Sequence, residues 1–120
     1  MGSSELTLSN YGMLSPHLEK LSLLKDLKVL DLSHNKLDKF PIAILSLTYL
    51  EKLNLNHNNL ISLPSGLGDL PCLRELTFVQ NPVDAYFTAI KSFHDIFMLK
   101  QYLKSNIDEL DWKYIQILFG

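Results

Sequence analysis

The chain has 120 residues, 47% hydrophobic and 20% charged, a composition that suits one globular domain. Eleven Lys and Arg against thirteen Asp and Glu leave a net charge of −2, which argues against a protein that holds nucleic acid by bulk electrostatics. The lone cysteine, Cys72, excludes an internal disulfide, and no N-x-Ser/Thr sequon occurs; both absences point to an intracellular protein of the cytoplasm or nucleus.

Residues 5–26 carry a weak copy of a pattern that the chain goes on to repeat. Leu6 and Leu8 stand two apart, as inward side chains do on a strand. After Pro16, Leu18, Leu21, Leu24 and Leu27 recur at every third position, which predicts a helical return with one apolar face. The first full copy, residues 27–49, opens L-K-V-L-D-L-S-H-N-K-L, or L-x-x-L-x-L-x-x-N-x-L. It predicts a short strand over 29–33, with Leu30 and Leu32 inward and Val29, Asp31 and Ser33 outward. Leu37 and Phe40 back that strand, and Pro41 opens a return in which Ile44 and Leu47 face in.

Residues 50–72 repeat the pattern as L-E-K-L-N-L-N-H-N-N-L, with Leu53 and Leu55 inward, Leu60 and Leu63 behind, and Pro64 in the place of Pro41. Gly66 and Gly68 predict a 3₁₀ or irregular return there. Residues 73–83, L-R-E-L-T-F-V-Q-N-P-V, form the third copy, with Leu76 and Phe78 inward. Cys72, at the start of that strand, reads as an inert buried thiol. Asn35, Asn58 and Asn81 each close a strand. An amide that both donates and accepts can bond the turns of neighbouring copies in a ladder. From 84 to 120 the period gives way to helical spacing over 84–104 and again over 108–119, predicting a helical C-terminal cap. Residues 99–104 fit either a closing strand or a helix, and the helix is preferred. Trp112, Tyr114 and Phe119 mark a candidate second interface in that apolar segment.

Recurrence of this pattern every 23 residues is identified as the leucine-rich repeat, of the intracellular 23-residue type. N-P-V followed by a helical stretch resembles the C-terminal caps of nuclear and cytosolic members. The resemblance implies one α/β domain over residues 1–120: a short right-handed leucine-rich-repeat solenoid with about four parallel strands on its concave face and a helical C-terminal cap. It further implies a non-catalytic protein–protein interaction module that binds a polypeptide partner through that concave face. Residues 17–37 are also similar to the leucine-rich-repeat domain of the Rab geranylgeranyltransferase alpha subunit. That similarity implies an alternative, an accessory domain or fragment of a larger enzyme. A further alternative, an RNA-processing protein, lacks the aromatic stacking platform that single-stranded nucleic acid needs.

The outward strand positions are the candidate partner-binding residues: Val29, Asp31, Ser33 and His34; Lys52, Asn54, Asn56 and His57; Glu75, Thr77, Val79 and Gln80. Residues Glu5, Thr7 and Ser9 extend the same face. No glycine-rich phosphate loop, G-x-S-x-G, H-E-x-x-H or C-x-x-C occurs, so no enzymatic activity is expected. His34 and His57 fall on neighbouring strands about 5 Å apart, where two imidazoles could begin a metal site. Structural and catalytic zinc sites take four and three protein ligands, and the equivalent positions hold Asn10 and Gln80. No metal, cofactor or membrane span is expected.

Overall fold

A computed structural model describes residues 4–13, 15–83 and 100. Four short strands, β1 (Glu5–Thr7), β2 (Val29–Asp31), β3 (Lys52–Asn54) and β4 (Glu75–Thr77), lie in one sheet in sequence order. Every pairing is parallel, and Leu6, Leu30, Leu53 and Leu76 stand in register across it. The returns are 3₁₀ segments at Ser15–Leu23, Ile42–Ser46 and Ser65–Asp69. Residues 27–83 are therefore a short solenoid of strand, turn and 3₁₀ return.

Spacing accounts for the returns. Leucines at every third position match a helix with three residues per turn rather than 3.6. Leu18, Leu21 and Leu27 are buried on that stripe, whereas Leu24, beyond the end of the segment, is exposed. Pro41 and Pro64 stand immediately before the next two returns, and their carbonyls accept the first turn bonds from the N–H of Ile44 (3.0 Å) and Leu67 (3.2 Å). Proline suits that place, because its fixed φ is already near the helical value and the position needs no donor. Gly66 matters for packing: a Cβ there would lie 3.0 Å from Leu45 Cδ1 of the preceding return.

Alternation in the strands drives leucine to one side. Leu30, Leu32, Leu53 and Leu55 are buried between sheet and returns, joined by Leu37, Ile44, Leu47, Leu50, Leu60 and Leu67. Each such side chain stabilises the fold by about 1.5–3 kcal/mol. Leu6, Leu8 and Leu76, on the end strands, are only partly covered, because each has a neighbour on one side alone. The strands are also shorter than the pattern suggests. Past Asp31 the chain still bonds to β3, from Leu32 N–H to Asn54 O and from His34 N–H to Asn56 O, both at 2.9 Å, while the Asp31 carboxylate accepts the N–H of Ser33 at 2.9 Å.

The turns are held by the asparagines. Asn35 Oδ1 accepts from the N–H of Tyr11 (3.1 Å) and Met13 (2.9 Å), and its Nδ2 donates to the carbonyls of Leu8 and Leu32, both at 2.9 Å. Asn58 accepts from Leu37 N–H at 3.1 Å and donates to Leu32 and Leu55, both at 3.0 Å. Asn81 accepts from Leu60 N–H at 3.0 Å and donates to Leu55 (2.8 Å) and Phe78 (3.0 Å). Each buried amide thus satisfies its own turn and the preceding one.

The expected helices over 84–104 and 108–119, with Trp112, Tyr114 and Phe119, lie outside the described residues apart from Lys100, which is helical. Its ammonium donates to the carbonyls of Leu70 (2.5 Å) and Leu73 (3.3 Å), covering the end of the last return.

Two stability outcomes follow from this packing. Leu55→Ala costs about 2–5 kcal/mol in urea unfolding, while Leu24→Ala stays within about 0.5 kcal/mol of wild type. Asn58→Ala costs about 3 kcal/mol, since it strands the buried N–H of Leu37 and weakens the bonding of the Leu32 and Leu55 carbonyls; Asn59→Ala, one residue on and exposed, serves as the neutral control.

Candidate functional site

With the leucines committed to the core, the other face of the sheet carries four rows of side chains. Register sets the first two: Glu5, Val29, Lys52 and Glu75, then Thr7, Asp31, Asn54 and Thr77. The repeat extends them to Ser9, Ser33, Asn56 and Val79, and then to Asn10, His34, His57 and Gln80.

Charge is concentrated in and beside the first row. Lys52 Nζ lies 3.8 Å from Glu75 Oε1, and Arg74 reaches Glu51 Oε1 at 3.4 Å and Glu75 Oε1 at 3.6 Å. These pairs are solvent-exposed, and such pairs contribute about 0–1 kcal/mol each. They neutralise one edge of the face without fixing it.

The second and third rows are bonded to the fold itself. Asp31 holds Ser33 N–H, as above; Asn54 Oδ1 accepts Asn56 N–H at 2.9 Å and the Thr77 hydroxyl at 3.3 Å. Asn56 Oδ1 accepts Val79 N–H at 2.7 Å. Ser33 departs from the expected outward position: it is only 6% exposed, with its hydroxyl 3.1 Å from that of Ser9. Its small side chain lies against the neighbouring strand, so it offers a partner almost no surface. Val79 is 48% exposed and gives this row an apolar contact.

The fourth row has a backbone explanation that residue spacing does not reveal. Asn10, His34, His57 and Gln80 all have positive φ, at 65°, 56°, 56° and 61°. Asn and His are enriched among residues that adopt this left-handed conformation. Their N–H groups stay tied to the next strand, His34 to Asn56 O at 2.9 Å and His57 to Val79 O at 2.8 Å. Identical backbone twists one strand apart lay the two imidazoles face to face, with centroids 4.2 Å apart and planes 11° from parallel. Stacked rings direct their in-plane nitrogens side by side rather than toward one point. Among the described residues no group of three His, Cys, Asp or Glu side chains is placed to hold a metal.

Cys72 corrects another expectation. It is exposed, in the turn between buried Leu70 and Leu73. One period earlier the same place holds Tyr49, itself 56% exposed, and that equivalence was the signal available in the sequence. On the convex side a groove of about 760 Å³ runs between the first two returns, lined by Leu18, Phe40, Pro41 and Ile42 among others. It lacks the ordered rows of polar groups found on the sheet. No helix among the described residues is long and apolar enough to cross a membrane.

The exposure of Cys72 is checked with a disulfide reagent. The thiol titrates in the native protein, without denaturant, at a rate within about tenfold of a free cysteine.

Residues 27–83 match the family model for the leucine rich repeat. A search of curated proteins found no match to the chain.

Proposed function

Residues 27–83 being leucine-rich repeats, we propose that the chain is a non-catalytic interaction module that binds a polypeptide across the concave sheet. Solenoid curvature produces extended concave surfaces that such proteins use for binding. One observation carries the reading here. The outward residues of the strands form a continuous polar face whose backbone is locked by the asparagine ladder beneath it. A face held rigid before contact loses little freedom on binding.

Val29, Asp31 and His34 on one side, Lys52, Asn54, Asn56 and His57 in the centre, and Glu75, Thr77, Val79 and Gln80 on the other are the contact residues of this reading. Ser33 drops out because it is buried. The absence of aromatic side chains from these positions favours polypeptide over single-stranded nucleic acid. The lone exposed cysteine and the lack of sequons support a reducing compartment, cytoplasm or nucleus.

Affinity capture from the native cell tests the reading. Asn56→Arg and His57→Glu each lose the proteins that wild type retains, while Ile42→Glu, on the exposed convex side, keeps them. Circular dichroism and urea unfolding establish that all three variants are folded. Equal capture by folded Asn56→Arg and His57→Glu places the binding elsewhere.

A further inference from the structure

β1 is the first strand of the sheet, and among the described residues only β2 pairs with it. The backbone shows which groups that pairing uses. The Ser4 carbonyl accepts the N–H of Lys28 at 2.8 Å and of Val29 at 2.9 Å. The N–H groups of Leu8 and Asn10 donate to the carbonyls of Asp31 (2.8 Å) and Ser33 (3.3 Å). The even-numbered residues therefore face β2. Successive residues of a strand turn their backbone groups to opposite sides, so Thr7 points its N–H and C=O along the open edge. Such an edge is completed by another extended strand.

The end of the solenoid that carries β1 is also apolar. Leu6, Leu8 and Met13 are only partly buried, and Tyr11, Leu23 and Leu24 are 70%, 73% and 44% exposed. The exposed residues lie toward opposite ends of the strand. Tyr11 comes after it, with its N–H held by Asn35 Oδ1 at 3.1 Å. Leu24 is near its start, because its carbonyl accepts the N–H of Leu27 and the next residue, Lys28, bonds to Ser4.

Residues 5–9, E-L-T-L-S, match their own reverse. Laid antiparallel about Thr7, two copies set Thr7 against Thr7, Leu6 against Leu8 and Glu5 against Ser9. Each core-facing pair is leucine with leucine, and the outward threonine pair is favourable. The one charged side chain, Glu5, meets a hydroxyl rather than its own copy. The same half-turn brings Tyr11 of one copy toward Leu23 and Leu24 of the other. A single twofold axis normal to the sheet thus satisfies the backbone edge, the strand side chains and the exposed apolar residues together.

We propose that β1 is the interface for a second copy of this chain, joining two four-stranded sheets edge to edge with their concave faces continuous. The interface is isologous, so it closes at the dimer. Three residues per strand make a short pairing, and the association is weak, with a Kd of about 100 µM. It uses none of the contact residues of the concave-face reading and does not rest on that reading.

Sedimentation equilibrium of the full chain is the test. Wild type shifts from mostly monomer at about 10 µM to mostly dimer at about 1 mM, and goes no further. Thr7→Pro removes the edge N–H and leaves the ladder to β2 in place; it folds as wild type and associates about tenfold more weakly. Tyr11→Glu, an exposed change outside the strand, weakens association by about tenfold as well. Circular dichroism establishes that both variants are folded. Register is read with single cysteines in a Cys72→Ser background. Paired Thr7 Cα atoms stand about 5.5 Å apart, within disulfide reach, whereas the two Glu5 positions are separated by four residues of strand, about 13 Å. Thr7→Cys therefore oxidises to a covalent dimer and Glu5→Cys does not, a comparison that holds even where Thr7→Pro fails to fold. Wild type that stays monomeric at about 1 mM overturns the proposal, as does undiminished association of folded Thr7→Pro. Growth beyond a dimer, or cross-linking of Glu5→Cys as readily as Thr7→Cys, overturns the twofold pairing.

Discussion

A buried asparagine amide after each of β2, β3 and β4 is the constraint on which the molecule depends. A few ladder bonds beyond each three-residue strand, the chain must turn under cover, where backbone groups lose both their ladder partners and water. Asn35, Asn58 and Asn81 supply donors and an acceptor at that point. Because every amide spans its own turn and the one before, the repeats are cross-linked by hydrogen bonds as well as by leucine packing. An apolar replacement keeps the volume and leaves several buried groups unpaired, the more costly defect.

The concave face follows from this arrangement. Strands held at a common register put side chains of equivalent positions beside one another, so the face is organised in rows before any partner arrives. Many of its polar atoms already serve the fold: Asp31, Asn54 and Asn56 each use an oxygen to hold a backbone N–H. A tally of exposed polar residues therefore overstates the acceptors the surface offers. What Asn54 and Asn56 leave to solvent is their N–H, and that part of the face's hydrogen-bonding polarity follows from how the chain is held after each strand.

Much of the architecture was legible in the residues. The alternating leucines, the asparagine turns and the proline-opened returns are all periodic, and a period shows directly which side chains share a face. The misreadings came where side-chain size and the ends of elements override that geometry. Ser33 was expected outward and is buried, its short side chain bonded to Ser9 of the neighbouring strand; Leu24 was expected on the apolar stripe and is exposed, beside Leu23, where the first return runs into β2. Cys72 lies in a turn rather than in the strand it precedes. The contact of Lys100 with the carbonyls of Leu70 and Leu73 joins residues about thirty apart with no pattern to announce it. Of the candidate contact residues, the strand positions were readable from alternation; the left-handed backbone beneath His34 and His57 was not.

That left-handed row also limits how the surface can vary. At Asn10, His34, His57 and Gln80 the backbone selects the residue before any ligand does, because a β-branched side chain is strained at positive φ. Isoleucine, valine and threonine, common choices for a contact surface beside a sheet, are disfavoured there. The face is thus written in two alphabets: an unrestricted one along the strands and a reduced one, rich in amide and imidazole, along this border. Changes of specificity have their widest scope in the strand rows, while the border keeps a polar, hydrogen-bonding character whichever partner is bound.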